Sequence, residues 1–228
     1  MPKKELKKTD PLNIEAITAG LAEFYPLART SLNYENPFQL LVATILSAQT
    51  TDEQVNKITE KLFREIPTAA EMADLEPADL EQYLKSCGLY RHKSRYLVQT
   101  AKILVEHYGG RVPEEFSELV KLPGVGRKTA NVVISSAFNK PALAVDTHVF
   151  RVSRRIGLAD GKNTEVVEEQ LKKVIPAAEW KDVHHRLIAH GRQVCHAKNP
   201  QCESCFLINL CQFARERKSI NDSNKAEA

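Results

Sequence analysis

An all-α fold is the expectation for this chain, and three observations carry it. Apolar residues recur at helical spacing in segment after segment. No run alternates with period two for long enough to argue for a sheet, and no internal repeat is found. Finally, the turn sequence Leu122-Pro-Gly-Val-Gly126 stands between one apolar helical pattern (Phe116, Leu119, Val120) and another (Ala130, Val133, Ile134, Ala137), so the unit reads as helix, hairpin, helix.

In chain order, the first helical pattern covers 12–25. Asn36-Pro37 then caps and starts a segment with apolar positions at Phe38, Leu41, Val42, Ile45 and Leu46, because asparagine accepts from a first-turn amide and proline suits the first helical position. Thr51 with Gln54 has the spacing of a capping box opening 51–65. Further helical patterns cover 77–86, 93–108, 114–121, 127–138, 147–156, 164–174 and 180–194. Pro200 and the closely spaced cysteines around it imply a compact loop held by metal, and Ser219 to Ala228 is expected to be disordered.

Composition sets bounds. At 228 residues and 43% apolar content the chain can bury a core in one or two domains, and a net charge of +3 is too small to announce nucleic-acid binding. The distribution of charge says more: 52–82 is rich in acids and 85–111 rich in bases, so one surface is expected to be acidic and another basic, although such runs are commonly just solvated helix faces. Met1 to Pro11 is lysine-rich without the apolar core of a signal peptide, and no apolar run approaches membrane-spanning length. The expected location is the cytoplasm, with the nucleoid, where thiols stay reduced.

The hairpin is the first chemical signal. Pro123 presets one turn dihedral, Gly124 and Gly126 supply positive φ, and a glycine hairpin feeding a helix N-terminus turns backbone N–H groups at Gly124, Val125 and Gly126 toward a phosphate. Lys128 falls in the first turn of that helix, opposite its apolar stripe, so it faces solvent or a cleft. Spacing alone fits an ordinary surface lysine equally well. A cation at the positive end of a helix dipole is disfavoured, however, which favours the neutral amine, and only the neutral amine is a nucleophile. Asp146 precedes the helical pattern Val149, Phe150, Val152, Ile156 and reads as an N-cap; a carboxylate there could also activate an amine or stabilise positive charge on a substrate.

The second signal is Cys195-x6-Cys202-x2-Cys205-x5-Cys211. A structural zinc site also accepts four thiolates, but zinc modules usually present two Cys-x2-Cys knuckles and only Cys202 and Cys205 form one, so the spacing favours an iron–sulfur cluster over zinc. Cys87 is remote in sequence and reads as a buried free thiol.

Taken together, Leu46-Ser-Ala-Gln-Thr50, Cys87-Gly-Leu-Tyr90, the hairpin with Lys128, Val145-Asp-Thr-His148, His190-Gly-Arg192 and the cysteine quartet resemble the endonuclease III family of helix-hairpin-helix DNA glycosylases and abasic-site lyases. The resemblance runs from about Pro37 to Cys211 and leaves out the basic leader and the polar tail. It implies a two-lobed fold: a six-helix lobe with the helix-hairpin-helix over 30–140, and an iron–sulfur lobe over 141–218 joined by the N-terminal segment 1–29, with 219–228 as a tail. It implies a [4Fe-4S] cluster on Cys195, Cys202, Cys205 and Cys211, Lys128 as Schiff-base nucleophile, and Asp146 as its catalytic carboxylate meeting it in a cleft.

The resemblance also implies that Gln49 and Leu89 enter the duplex to fill the gap left by an extruded nucleotide. By residue type alone Gln49 reads as solvated and Leu89 as a core anchor. His148 is expected to line the site, its alternative being a hydrogen-bonded structural imidazole; His184, His185 and His190 are expected to be structural. The implied enzyme is a monomer that excises oxidised or ring-saturated pyrimidines from double-stranded DNA and cleaves abasic sites by β-elimination. One alternative is the adenine glycosylase acting opposite oxidised guanine, a family that lacks the lysine and needs a glutamate near Thr44. The other is a non-catalytic helix-hairpin-helix DNA-binding protein.

Overall fold

The computed structural model describes residues 11–218, and helices with irregular connections account for all of them. The expected disorder of Ser219 to Ala228 lies outside the described residues. Contacts divide the chain into two units, one from Thr30 to Ala144 and one made of the residues up to Arg29 and from Val145 onward.

The Thr30–Ala144 unit is built around α2 (Pro37–Leu46), whose residues from Phe38 to Leu46 are all buried. Its start follows the sequence: Asn36 Oδ1 accepts from the Gln39 amide at 3.0 Å and Pro37 occupies the first helical position. Against it lie α3 (Asp52–Glu65), α6 (Tyr90–Tyr108) and α8 (Arg127–Ala137), while α4 (Ala69–Ala73) and α5 (Pro77–Leu84) pack on α6 and α7 (Phe116–Leu119) packs on α8. Leu40, Leu41, Leu46, Leu62, Met72, Leu80, Leu84, Leu97, Leu104 and Leu119 supply the largest fully buried side chains of this core.

Three local readings are corrected by the structure. Thr51 does cap α3 through the Gln54 amide, but Gln54 sends its side chain to Ser86 Oγ at 2.8 Å, so no reciprocal box forms. A true capping box opens α4 instead, where Glu71 Oε2 accepts from the Thr68 amide at 3.0 Å and Thr68 Oγ1 accepts from Glu71 at 3.3 Å; the Thr-x-x-Glu spacing was there to be read, but the helix is too short for periodicity to reveal. α6 begins at Tyr90, earlier than the apolar spacing suggested, because Leu89 takes a left-handed conformation (φ 59°, ψ 29°) at its N-cap.

The second unit holds α1 (Pro11–Phe24), α9 (Thr147–Ile156), α10 (Thr164–Val174), a single 3-10 turn (Ala177–Glu179) and α11 (Trp180–Gln193), then an irregular loop and a helical stretch over 212–218. α9 and α1 both pack on α11. Gly191 suits the close α9–α11 approach, since a Cβ there would lie 3.0 Å from both Arg151 Nη2 and His148 Nδ1. At the end of α1, Phe24 stacks on Phe206 of the cysteine loop with ring centroids 3.8 Å apart. Among the described residues, no helix is long and apolar enough to cross a membrane.

Candidate functional site

The hairpin joins α7 to α8 as expected. The Val125 amide donates to the Leu122 carbonyl at 3.1 Å, closing a turn with Pro123 and Gly124 at its centre, and Gly124 has φ 77°. Gly124 is also needed for space, since a Cβ there would press to 3.0 Å on the Tyr96 ring, and Thr100 Oγ1 donates to the Pro123 carbonyl at 3.0 Å. Gly126 departs from expectation: as N-cap of α8 it has φ −90° and ψ 177°, extended backbone open to any residue, and a Cβ on it would meet nothing within 4 Å. Val125 is buried and its amide is engaged in the turn. Lys128 is the second residue of α8, half-buried, while the residues from Thr129 to Ser135 that follow it are buried.

Asp146, in the other unit, N-caps α9. Its Oδ1 accepts from the Val149 amide at 2.8 Å, and the side chain remains half-exposed. Capping is therefore a real role for this aspartate and uses one oxygen of a group that has two. His148, the second residue of α9, has its Nδ1 3.1 Å from Arg151 Nη2. Burial lowers its pKa from the usual histidine value, with the Asp146 charge opposing and the Arg151 and Arg192 charges assisting.

Gln49 and Leu89 are both exposed, and Leu89 is 54% accessible, which removes it from the core. Both take the left-handed conformation, with φ 55° and 59°, although neither residue type adopts it easily. Their turns touch: a Cβ on Gly88 would lie 3.0 Å from the Gln49 carbonyl oxygen, so glycine permits the close approach. Strain of this kind, held in place by its surroundings, collects at functional sites. Thr44 is buried in α2 with its hydroxyl donated to the Leu40 carbonyl at 2.7 Å, so this position offers no acid.

Cys195, Cys202, Cys205 and Cys211 line one cavity, together with apolar side chains of Ile156, Val194, Ile208 and Phe213. None of them is in a disulfide. Burial pushes the Cys205 and Cys211 thiols up, and the neighbouring cysteines add to the effect; a cationic centre bound by the thiolates would offset both. Donors already face the sulfurs: Arg155 Nη1 lies 3.5 Å from Cys195, His190 Nε2 3.7 Å from Cys205 and Arg217 Nη1 3.9 Å from Cys202. The donor set fits a four-thiolate cluster.

Sequence reasoning missed the shell around that loop. Burial drives His190 down to about 4, leaving a neutral ring whose Nδ1 lies 3.1 Å from the Tyr25 hydroxyl. Tyr25 is pushed up to about 12, first by burial and then by Cys205 and Cys195. With the ring proton on Nε2, His190 accepts from Tyr25 and faces Cys205 with its donor, so structural is the right reading for it. Arg151 reaches from α9 to the Cys195 carbonyl (3.2 Å) and the Gly191 carbonyl (2.9 Å), and Arg155 to the His196 carbonyl (2.6 Å). Arginines one and two turns into a helix carry no signal of such partners in the sequence.

A glycine hairpin between two helices and a loop with four cysteines on one cavity define a helix-hairpin-helix protein with the donor set of an iron–sulfur centre. Residues 42–177 match the family described as HhH-GPD superfamily base excision DNA repair protein, and 195–211 match the iron-sulfur binding domain of endonuclease III. The chain is 49% identical over 197 residues to endonuclease III of Escherichia coli (strain K12), covering 86% of this chain and 93% of that one, and 45% identical over 205 residues to endonuclease III of Bacillus subtilis (strain 168), covering 90% and 94%. Its structure is similar to that of a trapped endonuclease III–DNA covalent intermediate, with a TM-score of 0.87 and 45% identity over 92% of this chain and 99% of that one. The chain belongs to the endonuclease III family.

Its cofactor is accordingly a [4Fe-4S] cluster, which when bound supplies the positive core that ties 195–211 together. Purified anaerobically, the protein is expected to be brown, with about four iron and four acid-labile sulfide per chain, and Cys202→Ser to lose most of both. Stoichiometric zinc without iron in the native protein would contradict this.

Proposed function

We propose that this chain is a bifunctional DNA N-glycosylase and abasic-site lyase of base excision repair, acting as a cytoplasmic monomer on oxidised or ring-saturated pyrimidines in double-stranded DNA. Family membership supports the activity. The observation that carries the site is Lys128, half-buried in the first turn of the helix that follows the glycine hairpin.

In this reading the hairpin around Gly124 and Gly126 holds backbone phosphate, and the target nucleotide leaves the stack. The neutral amine of Lys128 attacks C1′, the N-glycosidic bond breaks, and the base departs with the electron pair and takes up a proton. Ring opening of the sugar gives an iminium at C1′, which acidifies the 2′ proton. Its removal expels the 3′ phosphate by β-elimination. Asp146 is the assisting carboxylate for proton movement and for the positive charge that develops, and His148, in the first turn of the helix that Asp146 caps, contacts the DNA in this reading. Saturated rings stack poorly, so extrusion costs less than the usual few kcal/mol and damage is detected partly as ease of flipping.

Borohydride reduction tests the chemistry. On duplex DNA with a ring-saturated pyrimidine it should capture a covalent adduct at Lys128, located by peptide mapping. Product formation without any capturable adduct would point to a monofunctional glycosylase instead.

Insertion by Gln49 and Leu89 has its own test. Because both side chains stand out from the surface, Leu89→Ala and Gln49→Ala should leave Tm nearly unchanged, in contrast to the roughly 2–5 kcal/mol of a core leucine truncation. Excision of a base-paired lesion should fall far more than cleavage of a preformed abasic site, which has no base to unpair. Equal losses on both substrates would remove the insertion role.

A further inference from the structure

We infer that Lys93 is a positioning residue for lesion recognition, its buried ammonium locking the turn that carries Gln49 to the turn that carries Leu89. The inference rests on the insertion role proposed above for those two side chains.

Lys93 is only 3% exposed, an unusual state for a lysine, and sits in the first turn of α6. Its Nζ lies 2.8 Å from the Leu46 carbonyl oxygen, 2.5 Å from that of Ala48, 3.1 Å from Thr50 Oγ1 and 3.1 Å from Cys87 Sγ. Three ammonium protons are thus fully occupied, and two of these partners are backbone carbonyls and a third a hydroxyl. Leu46 ends α2 and Ala48 follows it, so the cation meets carbonyls that the helix leaves without partners, at the negative end of its dipole. Gln49 lies between two residues that Lys93 grips. The backbone of the same lysine holds the other turn: its amide donates to the Leu89 carbonyl at 3.1 Å.

One residue therefore spans both turns, in which the two exposed side chains are held in a costly left-handed conformation. An apolar side chain of equal length would fill the space, but it could not specify where the Leu46 and Ala48 carbonyls point, and so could not fix the backbone at Gln49. Burying an ammonium is expensive unless its hydrogen bonds are complete, and here they are. The gain is a pair of inserting groups already ordered before DNA arrives, which spares the ordering cost on binding.

The test compares Lys93→Met with the parent protein on two duplexes, one holding a ring-saturated pyrimidine paired with adenine and one a preformed abasic site, under single-turnover conditions. The expected result is a loss of about tenfold or more in excision of the paired lesion, abasic cleavage within about twofold of the parent, and faster amide hydrogen exchange over 46–50 and 87–90. In a Gln49→Ala/Leu89→Ala background the same substitution should cost no more than about a further twofold, since there is nothing left to position. Losses that multiply in that background, or that fall on both substrates in proportion to the folded fraction, overturn the inference. If the double alanine variant itself shows unchanged selectivity, the insertion role fails on its own, and the inference falls with its premise. Should Lys93→Met not fold, Thr50→Val/Cys87→Ala removes two partners and leaves the ammonium on its carbonyls; a smaller selective loss supports the inference and an unchanged ratio of the two activities overturns it.

Discussion

Replacing Lys128 by alanine is expected to abolish both borohydride capture and turnover, a loss on the order of a thousandfold or more, while damaged duplex is still bound. The size of the effect follows from the proposed chemistry: without the amine there is no covalent intermediate, and the remaining groups can only hold the substrate. Folding should be spared, because Lys128 is half-buried in the first turn of α8 and alanine is the best helix former. Equal melting curves for the two proteins establish that the loss is chemical. Retained capture in Lys128→Ala would move the nucleophile elsewhere, and loss of binding together with activity would favour the DNA-binding role over the catalytic one.

Asp146→Asn is expected to lower turnover by about a hundredfold or more with Tm unchanged. This substitution separates the two roles of the residue. Asparagine caps helices as well as aspartate does, so the bond now made by Asp146 Oδ1 to the Val149 amide survives, and only the charge is removed. A protein that melts earlier and keeps its specific activity would leave Asp146 as a cap and nothing more. Asp146→Ala completes the comparison, since it deletes the cap as well and should cost about 1 kcal/mol of stability in addition to activity.

Most of the helical framework could be read from periodicity and end signals. Asn36-Pro37 and the Asp146 cap both sit where a side chain able to accept from a first-turn amide precedes an apolar pattern. α4 escaped because five residues do not complete two turns, and the true start of α6 escaped because a leucine in left-handed conformation is not a choice that propensity would suggest. At the hairpin the closing turn was legible but the two glycines were not equivalent: Gly124 is required by its φ and by the Tyr96 ring, whereas Gly126 adopts backbone open to any residue.

The division runs between short-range and long-range chemistry. The groups proposed to react and to hold the cluster are legible as residue types at fixed spacing: a lysine after a glycine hairpin, an aspartate before a helix, four cysteines within 195–211. Each of these signals spans a few residues, and the local backbone alone gives it meaning. What supports those groups was not visible, because it is made by partners far apart in the chain. Lys93 meets carbonyls 45 and 47 positions away, and Tyr25 meets His190 across 165. Burial of a lysine or the direction of a carbonyl has no sequence signature, since both depend on which helices pack together. Only packing turns Lys93 from a basic residue in a basic stretch into the tie between two exposed turns.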